Sequence, residues 1–210
     1  VTRFVPPSTP APKRSTSQEV RLIGGLWRRS KLPVLDRPGL RPTPDRVRET
    51  LYNWLGQDLG GWRVLDAFAG SGALGFEAGS RGAAQVVLLE SDAQIATSLR
   101  ASQQRLAAQQ IEVHQADALA WMRQAAAGSF DLVLLDPPYA ADLFDQALTA
   151  ARPLIGGEGY IYLEADRAYT DTQLQAFNLR LRRAGRAGTV HFHLLEPLRS
   201  ESFLPAAPLV

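Results

Sequence analysis

Cysteine is absent from this chain of 210 residues. That excludes a disulfide framework, a thiolate metal site and a cysteine nucleophile, and it leads to the expectation of a reducing, cytoplasmic setting. Long apolar runs are missing too: no stretch approaches the roughly 18 uncharged apolar residues of a membrane-spanning helix. The first residues hold prolines and serines without an apolar centre, so neither a secretory signal nor an anchor is expected. Lysine is nearly missing, with only Lys13 and Lys31 among 23 basic residues. Arginine, with its planar fork of donors, is the better residue for phosphate contact and base stacking.

The net charge of +2 is small but lopsided. Residues 1–48 hold 11 Arg or Lys against the three acids Glu19, Asp36 and Asp45, whereas the remainder holds 12 basic and 18 acidic residues. A basic extension on a mildly acidic body suggests an arm for docking a polyanion. At 45% hydrophobic and 21% charged residues, the composition suits one globular domain with a small appendage. The layout expected is a flexible basic tail over 1–19, a hairpin and helix over 20–56, a catalytic domain over 57–196 and a C-terminal tail over 197–210.

From Val20 to Leu35 short apolar pairs alternate with basic residues around Gly24-Gly25, which predicts a small β-hairpin. Thr43-Pro44 predicts a helix start, with Thr43 as cap, Pro44 at the first position, and Val47, Leu51, Trp54 and Leu55 on the apolar face. After Gly60-Gly61 the pattern becomes α/β. Strands are predicted at Arg63–Phe68, Gln85–Glu90, Ile111–Gln115, Phe130–Asp136 and Gly159–Glu164, with helices at Gly72–Ser80, Asp92–Gln109, Leu119–Ala126 and Ala141–Ala151. This alternation predicts a mostly parallel, doubly wound sheet. A short helix near Thr172–Phe177 and a closing hairpin of Leu179–Arg183 and Thr189–Leu195 should add an antiparallel strand.

Two motifs carry the chemistry. Strand Arg63–Phe68 runs into Gly70-Ser71-Gly72-Ala73-Leu74-Gly75, and Glu90 stands 20 positions after Gly70 at the end of the next strand. That is the fingerprint of a nucleoside-bearing cofactor, with glycines for close backbone approach and an acid for ribose hydroxyls. Asp66, four residues before Gly70, would repel a pyrophosphate at the helix start. It would suit S-adenosyl-L-methionine, which has no phosphate and carries a sulfonium and an ammonium. Asp117 follows the third strand, placed to accept from an adenine amine. The second motif is Asp136-Pro137-Pro138-Tyr139, after the apolar run Phe130–Leu135. The prolines end the strand and leave an acceptor, free carbonyls and a stacking ring at the ligand-binding edge of the sheet. Taken alone Asp-Pro is a common turn starter; beside the glycine loop it favours a methyltransferase over a dehydrogenase.

Asp66–Gly72 with Asp136–Tyr139 resembles the class I S-adenosylmethionine-dependent methyltransferases acting on exocyclic amines of bases. More narrowly, Arg21–Arg28, Leu40–Leu55 and Val64–Gly75 closely resemble the bacterial RsmD family of 16S ribosomal RNA guanine-N2 methyltransferases, over roughly Val20 to Leu195. The resemblance implies an α/β, Rossmann-like fold: a seven-stranded, mostly parallel sheet with an antiparallel last strand and a small N-terminal β-hairpin. It implies that Gly70 and Gly72 line the methionine end of the cofactor, with Asp66, Ala67 and Ser71 beside them. Glu90 and Ser91 would hold the ribose, and Asp117 with the Ala118 amide the adenine.

Asp136 and the Pro137 carbonyl would accept the two amine hydrogens, Pro138 would stiffen the turn, and Tyr139 would stack on the base. The basic arm (Arg28, Arg29, Lys31, Arg41, Arg46 and Arg48) would clamp RNA backbone, with 16S rRNA in the small ribosomal subunit or an assembly intermediate as partner and a monomer as the working form. No metal is expected, and His191 with His193 reads as packing rather than ligation. The competing readings are an adenine-N6 amino methyltransferase, which shares the Asp-Pro-Pro-Tyr site, an NAD-dependent oxidoreductase, and a catalytically silent RNA-binding protein.

Overall fold

The structure is a computed structural model that describes residues 18–37, 43–138 and 143–198. Tyr139, Arg41, residues 1–17 and 199–210 of the two tails, and the first part of the helix expected from Ala141 lie outside the described residues.

The apolar runs become the central strands. β3 (Arg63–Asp66), β4 (Gln85–Glu90), β5 (Ile111–Gln115), β6 (Phe130–Leu135) and β7 (Ile155–Ala165) are parallel, and β8 (Leu179–Ala187) and β9 (Val190–Pro197) close the sheet in the order β5-β4-β3-β6-β7-β9-β8. β9 pairs antiparallel with both β7 and β8. This is the expected α/β architecture, with an antiparallel last strand. β7 begins at Ile155, earlier than Gly159, and the hairpin strands run longer than their apolar cores. Backbone pairing with a neighbour, rather than side-chain pattern, decides those ends.

Alternation of side chains divides the core between two faces. Val64, Val86, Leu88, Leu132 and Leu134 face α1 (Asp45–Trp54), α2 (Ala73–Ser80) and α3 (Ala93–Arg105). Leu65, Val87, Leu89, Val133 and Leu135 face α4 (Ala118–Gln124), α5 (Phe144–Ala151) and α6 (Asp171–Gln175). Covering both faces is what lets the middles of these strands be apolar on both sides.

The N-terminal extension is the expected hairpin, β1 (Gln18–Arg21) with β2 (Lys31–Val34), paired so that Val20 meets Leu32. It packs on the α2 face rather than standing free. Ile23 and Gly24 each donate their amide to a carboxylate oxygen of Glu77 at 2.8 Å, and Leu26 and Trp27 donate to the Ser80 carbonyl and hydroxyl. Glu77 is fully buried and also takes the Arg81 guanidinium at 2.9 Å and that of Arg48 at 3.5 Å. One acid thereby fastens the loop, α1 and α2 together.

Two expectations for α1 need correction. Thr43 does not cap it: Pro44 is the capping residue, without a side-chain cap bond, and the Thr43 hydroxyl is engaged elsewhere. Arg48 is not a surface cation. It is wholly buried, bonding Asp45, the Arg21 carbonyl and Glu77, because the buried stripe is Val47, Arg48, Leu51 and Tyr52 rather than one centred on Trp54 and Leu55.

Candidate active site

Chain order turns around between β3 and β6: the β3–α2–β4 crossover goes to one side, while β6 lies on the other. Such a switch point opens a crevice outside the carboxyl ends of the strands. Each of the five parallel strands delivers an acid to that edge. In sheet order they are Asp117 just after β5, Glu90 ending β4, Asp66 ending β3, Asp136 just after β6, and Glu164 near the end of β7. Neighbouring strands are about 4.8 Å apart, so the row is a concentrated negative field.

The glycine loop is built around this row. Asp66 is buried, and its Oδ2 accepts the Gly75 amide at 2.9 Å in the first turn of α2. An acid therefore already occupies donors that an anion-binding helix start would offer. Asp66 Oδ1 is buried and completes no hydrogen bond within the described residues. Gly72 takes φ of +78°, and a Cβ there would lie 2.6 Å from the Phe76 ring and 2.7 Å from Leu99. The position needs glycine for both conformation and space. The Ala67 amide donates to the Leu134 carbonyl and the Ala69 amide to that of Leu89, which holds the loop between β4 and β6.

Glu90 Oε2 accepts the Gly70 amide at 3.0 Å and Oε1 the Asp92 amide at 2.9 Å, so this carboxylate ties both rims of the crevice. Ser71 and Ala118 are buried, and Ser91 is exposed beside Glu90. Asp117 is exposed and caps α4 through the Ala120 amide at 2.7 Å. Asp136 is half-buried, Pro137 buried and Pro138 exposed.

Burial pushes the Asp66 carboxyl up to about 7, with the Glu90 and Glu164 charges adding to the rise and the Gly75 and Phe68 amides opposing it. Asp136 is raised well above the usual carboxylate range, first by desolvation, then by Glu164 and Asp66. Glu164 is raised by burial, and bonds from Thr43 and Tyr162 with the Arg48 charge restrain it. An empty crevice of this kind retains protons, and a cation entering it would expel them.

Sequence reasoning missed Thr43, Tyr162 and Glu164. The Thr43 hydroxyl lies 2.8 Å from Glu164 Oε1 and 3.4 Å from Asp136 Oδ2, and the Tyr162 hydroxyl donates to the same Oε1 at 3.0 Å. The available signal was period-two spacing, which puts Tyr162 and Glu164 on one face at the end of a parallel strand.

The basic residues divide. Arg28, Arg29, Lys31 and Arg46 are exposed, Lys31 in an ion pair with Glu19 at 2.6 Å. Arg28 and Arg29 belong to the loop held by Ser80, at the end of α2 away from the crevice. At about 1.5 Å per residue, an eight-residue helix sets them about 12 Å back. His193 is buried and accepts the Tyr169 amide at 3.1 Å, as expected of a packing residue. Arg180 and Arg182 pair with Glu196 at the sheet edge. Among the described residues no cluster of three His, Asp or Glu is arranged to hold a metal, and no helix is long and apolar enough to cross a membrane.

The chain is similar to proteins already described. The model of a family described as conserved hypothetical protein 95 matches residues 20–196. The ribosomal RNA small subunit methyltransferase D of Escherichia coli is 38% identical over 187 residues, covering 88% of this chain and 93% of that protein. Its namesake from Haemophilus influenzae is 48% identical over 134 residues, 62% of this chain and 69% of that one. Among solved structures, the yhhF protein of Escherichia coli superposes with a TM-score of 0.74 at 38% identity, covering 86% of this chain and 98% of that one. The fold also extends to a Burkholderia thailandensis 1,6-didemethyltoxoflavin-N1-methyltransferase, with a TM-score of 0.59 at 13% identity over 74% of this chain and 78% of that one. With a family match across nearly all the described residues and relatives alike in length, sequence and fold, the chain belongs to the RsmD family, the family of conserved hypothetical protein 95.

Proposed function

We propose that this protein is an S-adenosylmethionine-dependent ribosomal RNA methyltransferase, and that its target is the exocyclic N2 amine of a guanine in 16S rRNA. The observation that carries the reading is the row of five acids along the carboxyl edge of the sheet, with Asp136-Pro137-Pro138 between the central Asp66 and Glu164. The names of the relatives support the rRNA substrate.

The residues present fit the methyl donor. Asp66 Oδ1 is a buried acceptor without a hydrogen bond among the described residues, next to a glycine turn in which a side chain would clash. A cation with donor groups satisfies such an oxygen; a pyrophosphate does not. Gly70, Ser71, Gly72 and Ala67 would hold its methionine end with Asp66, Glu90 and Ser91 its ribose, and Asp117 with Ala118 its adenine. When bound, S-adenosylmethionine supplies an electrophilic methyl group.

An exocyclic amine is a poor nucleophile because its lone pair is delocalised into the ring. The Asp136 carboxylate and the Pro137 carbonyl accept its two hydrogens, which localises that lone pair. Proline in both following positions removes competing amide donors and fixes the turn. Tyr139 would supply the stacking face. Positive charge developing on the nitrogen favours ionised Asp136, so the carboxylate stabilises the transition state and takes the proton released. The base must leave its stack to enter the crevice, and loops present it at least cost. Arg28, Arg29, Lys31 and Arg46 are the proposed backbone contacts; buried Arg48 is not one of them.

The test is transfer of a labelled methyl group onto small-subunit particles from cells lacking the enzyme, followed by nucleoside analysis. N2-methylguanosine is expected from the parent protein and none from Asp136→Ala, which should still bind the methyl donor. Full turnover by Asp136→Ala, or label in N6-methyladenosine, overturns the reading.

A further inference from the structure

The sheet register places Leu135 opposite Leu163, so the next residue on each strand, Asp136 and Glu164, stands level on adjacent strands. Thr43, from the segment leading into α1, inserts its hydroxyl between them, 2.8 Å from Glu164 Oε1 and 3.4 Å from Asp136 Oδ2. A hydroxyl has one hydrogen and two lone pairs. Here the shorter contact takes the hydrogen, so Thr43 donates to Glu164 and turns a lone pair toward Asp136. Tyr162 donates to the same Oε1, which fixes Glu164 from a second direction. Glu164 is only 3% exposed, an expensive place for a carboxylate that these two hydrogen bonds make tolerable.

We propose that Glu164 is the positioning residue for Asp136, acting through the Thr43 hydroxyl to orient the catalytic carboxylate and to govern whether it carries a proton. This inference rests on the catalytic role proposed above for Asp136. With Thr43 donating to Glu164, a protonated Asp136 can donate to Thr43, whereas an ionised Asp136 meets only a lone pair and the neighbouring acids. Ionisation thus leaves Asp136 Oδ2 short of donors on the protein side, and the amine hydrogens of the substrate fill that deficit. Because Thr43 lies two residues before α1, the same hydroxyl connects the N-terminal extension with the reacting groups.

The charges around Glu164 are Asp136 from the turn after β6, Asp66 at the end of β3, and Arg48 from α1, with Tyr162 on its own strand and Tyr52 on α1 close to Tyr162. β9 presents Phe192 opposite Glu164. Of these only Arg48 is a cation, and Glu77 and Asp45 already share its charge. The Glu164 charge therefore acts on Asp136 without close compensation, in the direction that favours the protonated form, and the Thr43 lone pair acts in the same direction.

Single-turnover methyl transfer onto unmethylated small-subunit particles, measured against pH, tests this. Glu164→Gln keeps an acceptor for Thr43 and Tyr162 but removes the charge. The acid limb of its rate profile should move to lower pH by about one unit, the lower end of close charge effects. Thr43→Val removes the lone pair that accepts the proton of Asp136, so its limb should also move to lower pH, and Thr43→Ser should restore the parent profile. A shift in the Val variant that the smaller Ser side chain reverses is not produced by loosened packing. Parent-like acid limbs in both Glu164→Gln and Thr43→Val overturn the proposal. Should Glu164→Gln lose its thermal transition, the Val and Ser pair decides alone. The Asp136→Ala control separates the two levels: full turnover there overturns the catalytic reading, whereas an inactive control with unshifted limbs overturns only the role of Glu164.

Discussion

Replacing Glu77 by alanine should unfasten the N-terminal hairpin from the catalytic body. In one substitution the Ile23 and Gly24 amides lose their 2.8 Å acceptors and Arg81 loses a 2.9 Å contact, while Arg48 keeps Asp45 and the Arg21 carbonyl but loses its buried counter-charge. Removing one partner of a buried ion pair costs about 3–5 kcal/mol. Each amide left without an acceptor costs about 1–3 kcal/mol where water cannot replace it. These losses share one carboxylate and do not add, because the loop relaxes toward solvent once released. A destabilisation of about 3–5 kcal/mol is therefore expected, which for a chain of this size lowers Tm by about 6–20 °C. Thermal unfolding gives the total, and amide hydrogen exchange gives its location, with Ile23, Gly24, Leu26 and Trp27 losing protection first. Glu77→Gln retains one acceptor oxygen and should lose less. An alanine variant within about 0.5 kcal/mol of the parent, the range of an inconsequential surface change, would refute the assignment of Glu77 as the fastener.

Other outcomes follow from the same geometry. Replacing Arg28, Arg29 and Arg46 by alanine should flatten the dependence of RNA affinity on salt by about 0.7–0.9 per lost phosphate contact; an unchanged slope removes these residues from the RNA surface. Arg48→Ala should leave that slope alone and lower Tm instead, because its guanidinium is buried. Asp66, with a carboxyl at about 7 against an ordinary 3.8, prefers its protonated form in the folded protein. Its contribution is thus most favourable below pH 3.8 and is lost as pH rises toward 7. Asp66→Asn should make Tm less sensitive to pH across that window, and should weaken methyl-donor binding more at pH 8 than at pH 6; equal weakening at both contradicts an ionising Asp66.

The sheet was legible because its signals are local. Leu132–Leu135 is apolar throughout, as a strand covered on both faces must be, and two prolines follow its end. The glycine loop and Glu90 were legible for the same reason, since strand, turn and helix lie in one short segment. What escaped notice depends on residues far apart in sequence. Thr43-Pro44 reads as a helix cap, yet the Thr43 hydroxyl bonds an acid 121 positions later. Arg48 looks like a surface cation in a basic arm, and its burial becomes tolerable only through Asp45, the Arg21 carbonyl and Glu77 together. Glu164 ends a strand as many surface acids do; its role appears when β7 aligns beside β6. Motif spacing reports one segment at a time, whereas a buried charge network belongs to several.

Titration calorimetry on the full chain at pH 6, where Asp66 still holds its proton, tests the acid-lined crevice most directly. S-adenosylmethionine should bind with release of protons, while its demethylated product, lacking the sulfonium charge, should bind with less release, and NAD should show no uptake. Saturable NAD binding with no heat from either sulfur compound would contradict the assignment of this edge to a cationic methyl donor.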